Sequence, residues 1–111
     1  MTWGWFNEGP SNDPKACPAY KANSDQARAR DPTRFTTWAS DKDLRDVCLE
    51  HASLVSFNNY PSWYNNAKPA DQWNKFANAV AGGAVPGAQG KPMVISETGA
   101  GGIYELSLIH I

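Results

Sequence analysis

Cysteine is scarce, with only Cys17 and Cys48 in 111 residues. Neither belongs to a C-x-x-C pair or lies at Cys/His ligand spacing, so zinc and redox motifs are not indicated. Both are expected to be partly buried thiols, and their pairing is open at this level. Charge of one sign is equally thin. Lys and Arg total 10 against 11 Asp and Glu, for a net charge of -1. Without a basic cluster, neither nucleic acid nor an anionic membrane surface is an expected partner. No run approaches the about 18 apolar residues of a membrane span. No phosphate loop, Ser/His/Asp order or metal-ligand cluster occurs. Gly99-Ala100-Gly101-Gly102 lacks the Lys of a phosphate loop and reads as a flexible turn. No metal and no cofactor is expected, while localisation and oligomeric state are open.

What the chain does have is a core: 41% of residues are hydrophobic and 12% aromatic, a composition that argues against disorder. Strand and helix patterns alternate. Aromatic-rich residues 3–7 read as a short buried strand, and Gly9-Pro10-Ser11-Asn12-Asp13-Pro14 as a loop. Residues 15–29 are helix-compatible, with Pro18 confining the regular part to its C-terminal side. Asp31-Pro32 ends that helix. Residues 34–39 form the next strand. Ser40 or Asp41 is expected to cap a helix over residues 43–51, where Leu44, Val47, Cys48 and Ala52 recur at helical spacing. Residues 54–58 form a third strand, residues 70–81 a second long helix stopped by Gly82-Gly83, and residues 93–96 a fourth strand. Strands separated by helices imply parallel pairing with right-handed crossovers.

Two of these strands end in a glutamate. Glu8 closes the Trp3-Gly4-Trp5-Phe6-Asn7 run, and Glu97 closes Met93-Val94-Ile95-Ser96. A carboxylate at the C-terminal mouth of a buried strand is costly to desolvate unless paired or hydrogen-bonded. That position suits chemistry in a parallel barrel, whose C-terminal rim carries the active site. Paired carboxylates suggest a retaining glycosidase. Two ordinary strand-end glutamates facing solvent fit the spacing equally well.

The surrounding words favour chemistry. Asn7-Glu8-Gly9-Pro10, Asp31-Pro32-Thr33-Arg34, Phe57-Asn58-Asn59-Tyr60-Pro61-Ser62-Trp63-Tyr64 and Ile95-Ser96-Glu97-Thr98-Gly99-Ala100 occur in this order. Together they resemble the catalytic barrel of glycoside hydrolase family 2, the β-galactosidase and β-glucuronidase family. The resemblance runs from about Trp3 to Glu105. It implies an α/β fold, a partial (β/α)8 TIM barrel of roughly strands four to seven with their helices. A whole barrel needs about 250 residues, so an internal piece is expected. Residues 1–105 would be that fragment of the catalytic barrel. Residues 106–111, an apolar hexapeptide with one histidine, depart from the family pattern and are expected to be a foreign end.

The resemblance also assigns roles. Glu8 would be the acid/base and Glu97 the nucleophile of a double displacement, in which one carboxyl group stays protonated while the other is ionised. Asn7 would hydrogen-bond the sugar 2-hydroxyl, and Tyr60 the nucleophile. Asn58, Trp63 and Tyr64 fit either rim or wall positions against the sugar or simple packing. The expected partner is a carbohydrate, a β-galactoside ahead of a β-glucuronide. The alternatives are another barrel glycosidase with two glutamates, cellulase-like or mannanase-like, and a non-catalytic carbohydrate-binding protein using its tryptophans and tyrosines as a platform. Arg34 fits the rim or an ion pair at the opposite end, and His51 is expected to be a surface or hydrogen-bonded histidine.

Overall fold

The computed structural model describes residues 2–99. Strand β1 spans Thr2–Asn7, helix α1 Cys17–Arg30, β2 Phe35–Ser40, β3 Val55–Asn58, helix α2 Pro69–Ala81 and β4 Met93–Glu97. The four strands form one sheet in the order β1-β2-β3-β4, every neighbouring pair parallel. The structure is therefore a small α/β domain on a parallel sheet. The expected tail at residues 106–111 lies outside the described residues, as does the end of the glycine turn from Ala100. Among the described residues, no helix is long and apolar enough to cross a membrane.

Alternation along the strands divides the sheet into two unlike faces. Trp38 of β2 and Val55 and Phe57 of β3 point to the side covered by the helices, where they join Tyr20, Leu49, Phe76, Val80 and Val85 in the core. Aromatic rings bind these layers: Tyr20 lies 4.7 Å from Trp38, Trp5 5.4 Å from Trp38, and Phe57 5.2 Å edge-on to Phe76. The opposite face carries Thr37 and Ser56, whose hydroxyls meet at 2.9 Å, and Asn58. Among the described residues, the helices pack on the first face. At the sheet margins Trp3, Phe6, Phe35, Val94 and Ile95 are exposed.

The helix boundaries follow local chemistry. Pro18 lies in the first turn of α1, where a missing N–H costs nothing. It therefore opens the helix instead of displacing its start. A 3₁₀ turn over Pro14–Ala16 precedes it, capped by Asp13, whose carboxylate accepts from the Lys15 N–H. Helix α2 starts with Pro69 and buries Phe76 and Val80.

The helix expected over residues 43–51 does not form. Two 3₁₀ turns, Asp43–Arg45 and Leu49–His51, stand there, with extended backbone at Asp46 between them. Side chains and distant backbone take the hydrogen bonds a helix would have made. The buried Asp46 carboxylate accepts from the Cys48 N–H at 2.9 Å, from Ser11 Oγ at 2.6 Å and from Trp38 Nε1 at 3.4 Å. The Val47 N–H donates to the Ser11 carbonyl. Asp43, at φ 54, has left-handed backbone that no helix continues through. Apolar spacing predicted a helix, and the competing acceptor overrode it.

The cysteines are likewise not thiols. Cys17, opening α1, and Cys48, between the two 3₁₀ turns, form a disulfide across Cα atoms 5.0 Å apart. Their separation of 31 residues is closed by the fold and not by any local motif. The disulfide pins α1 to the segment that follows β2.

Candidate active site

Both glutamates stand where a strand loses its regular register. The β1–β2 pairing shifts between Gly4 and Asn7, and the β3–β4 pairing shifts between Phe57 and Asn58, so that Glu97 pairs with Asn58. Such irregularities re-aim side chains at strand ends. Glu8 follows β1 at φ 57 while its N–H still donates to the Ala39 carbonyl at 2.9 Å. A left-handed glutamate costs about 1–2 kcal/mol relative to ordinary backbone, and such strain clusters at functional positions. Gly9 comes next because a Cβ there would run into the Tyr20 hydroxyl and the Phe6 ring.

Glu8 and Glu97 line one open cleft of about 560 Å³ at the C-terminal ends of the strands, together with Asn7, Asn58, Tyr60 and Tyr64. Asn58 lies at its centre. Its Nδ2 donates to Asn7 Oδ1 and to Glu8 Oε1, each at 3.0 Å, and its Oδ1 accepts from Ser96 Oγ at 2.7 Å. Tyr60 donates its hydroxyl to Oε2 of Glu97. That hydrogen bond is the main reason the Tyr60 hydroxyl is pushed up to about 12, with desolvation and the charge of Glu97 adding to it. Tyr64, 78% exposed, packs edge-on against Tyr60 at 5.5 Å. Of the expected residues only Trp63 is outside the cleft lining, half-buried with its ring beside Tyr64.

Four further residues line the cleft: Asp41, Asp43, Asn59 and Asn65. Asp41 pairs with Lys42 at 3.2 Å, and Asp43 accepts from Asn59 Nδ2 at 2.6 Å. Asp41 directly follows β2, a carboxylate at a strand mouth like Glu8. Its sequence position, as an expected cap of the helix over residues 43–51, concealed that likeness. Arg34 is away from the cleft, paired with Asp31 at 3.1 Å and set over the Trp3 ring at 5.4 Å, near the N-terminal end of β2. His51 contacts Glu50 through Nε2 at 3.5 Å, also outside the cleft. Among the described residues, no group of His, Cys, Asp and Glu is placed to hold a metal ion.

Two acidic side chains at the ends of β1 and β4 thus meet in one groove, one bonded by an amide and the other by a phenol. The chain superposes on a GH2 β-galacturonidase from Eisenbergiella tayi, bound to galacturonate, with TM-score 0.87 and 30% identity over 99% of its length. The glycerol-bound form of that enzyme matches equally well. A β-glucuronidase from Lactobacillus rhamnosus matches at TM-score 0.72 and 26% identity over 96% of this chain. The chain spans about a fifth of each, 20% and 19% of their lengths. No protein-family model matches the chain, and no curated protein does. The chain is consistent with a segment of a family 2 glycoside hydrolase.

Proposed function

We propose that this chain is one wall of the (β/α)8 catalytic barrel of a retaining β-glycosidase, with Glu97 as nucleophile and Glu8 as acid/base. The observation that carries the reading is the shared cleft: β1 and β4 each end in a glutamate that faces it, and each glutamate has its own hydrogen-bond donor. A parallel sheet with helices packed on one face, and its other face carrying Thr37, Ser56 and Val94, fits a wall of such a barrel.

The steps follow from the partners. Tyr60 holds one oxygen of Glu97, leaving the other to attack the anomeric carbon as the glycosidic C–O bond breaks. Glu8 donates a proton to the departing oxygen. Water then attacks the glycosyl ester with Glu8 taking its proton, which frees Glu97 and gives the sugar with unchanged configuration. Asn7, whose Oδ1 is occupied by Asn58, has its amide hydrogens free for the sugar 2-hydroxyl. Tyr64 offers a ring face to the sugar.

A β-linked hexuronide is the substrate class with most support, since the matched enzymes are a β-galacturonidase bound to galacturonate and a β-glucuronidase. A neutral β-galactoside ranks below it. The test is proton NMR of the first product formed from an aryl β-galacturonide or β-glucuronide by the full-length enzyme carrying this segment. The β-anomer is expected first. Initial release of the α-anomer, or no hydrolysis of any β-glycoside, would overturn the reading.

A further inference from the structure

Asn58 has no hydrogen left for a sugar. It is 3% exposed, and an amide nitrogen carries two hydrogens. Asn7 Oδ1 takes one at 3.0 Å and Glu8 Oε1 the other at 3.0 Å. Ser96, the neighbour of Glu97, fixes the amide orientation by donating to Oδ1 at 2.7 Å. The side chain sits on β3 and reaches past β2 to the end of β1 in one direction and to β4 in the other.

We infer that Asn58 is a positioning residue for the acid/base step and not a sugar ligand, a reading that rests on the glycosidase function above. Its donor to Oε1 leaves Oε2 of Glu8 as the oxygen that carries the transferable proton. The same bond holds in place a carboxylate set on left-handed backbone. With its second hydrogen Asn58 fixes the flip state of Asn7. Through Ser96 it ties this arrangement to the strand that bears Glu97, so both glutamates are registered to one buried amide.

The test compares Asn58→Asp, which keeps the size and the acceptor for Ser96 but loses both N–H donors, with Asn58→Ala in the full-length enzyme. Substrates with poor leaving groups, which need the proton, should lose on the order of 10- to 100-fold in kcat/KM, as displaced catalytic groups do. Activated aryl glycosides should lose at least about tenfold less, because protonation matters little to a good leaving group. Inhibition by free galacturonate or glucuronate should change by less than about threefold, which also shows that the variants are folded. Adding Asn58→Ala to Glu8→Ala should cost little beyond Glu8→Ala alone, since the group acted upon is already gone. Equal losses on both substrate types with weakened uronate inhibition, or additive losses in the double variant, would overturn the assignment and make Asn58 a direct ligand. Unchanged kinetics in both variants would overturn it too. A wild-type enzyme inactive on every β-glycoside removes the glycosidase reading itself, and the assignment with it.

Discussion

Tyr60 and Glu97 are joined through a phenol hydrogen bond between the loop after β3 and the end of β4. The phenol donates to the carboxylate, so the pair favours the neutral form of Tyr60. The sign for pH follows. In the folded protein the Tyr60 hydroxyl is raised to about 12, above the 10.0 of an ordinary tyrosine. Its contribution to stability is therefore complete below about pH 10 and lost as pH rises through about 12. An ultraviolet titration of wild type minus Tyr60→Phe should show a phenolate component with a midpoint near 12. Tyr60→Phe should also reduce kcat about tenfold or more, the scale of one lost charge-assisted hydrogen bond. A tyrosine titrating near 10 and undiminished turnover would show that the pair does not form.

The two glutamates should fail differently. Glu97→Gln should abolish turnover, and azide should not restore it. Glu8→Ala should slow substrates with poor leaving groups by about 10²- to 10⁴-fold. Activated aryl glycosides should still form the covalent intermediate and then stall, with azide releasing a β-configured glycosyl azide. Equal losses on both substrate types without azide rescue would reverse or remove these roles.

Breaking the Cys17–Cys48 disulfide should lower stability without touching the chemistry directly. Closing a loop over 31 residues of separation is worth about 3–4 kcal/mol in the chain-entropy account. Urea unfolding of the wild type against Cys17→Ser/Cys48→Ser checks it. An unchanged midpoint would mean that the segment after β2 is held by other contacts.

Asp46→Asn should destabilise by about 1–3 kcal/mol, the cost of leaving a buried group unsatisfied. Three donors point at its carboxylate, and an amide turns a hydrogen toward at least one of them. Thermal unfolding is the measurement. A neutral result would show that water or a rearranged Ser11 takes up the slack.

Sequence patterns located every strand and both long helices within a residue or two, because Trp38, Val55, Phe57, Phe76 and Val80 combine the right spacing with real burial. They failed at residues 43–51, where Leu44 and Val47 keep helical spacing but Asp46 captures the backbone. Apolar periodicity registers which face is buried, not a carboxylate that competes for N–H groups. Strand-end logic brought out Glu8 and Glu97, and six of the seven residues singled out at the sequence level line the cleft. Trp63 does not, since adjacent aromatics in a loop need not point the same way. Asp41 and Asp43 were hidden behind an expected helix cap. The disulfide was not legible because its partners meet only in three dimensions.

The left-handed backbone at Glu8 makes this position a trade between durability and work. Glycine would relieve that backbone strain of about 1–2 kcal/mol, but Glu8→Gly also loosens the unfolded chain and strands one hydrogen of the buried Asn58 amide, so its thermal unfolding should fall at or below that of wild type. A chain with glutamate there holds strained backbone beneath a carboxylate that lines the cleft, the pattern expected where activity and stability compete.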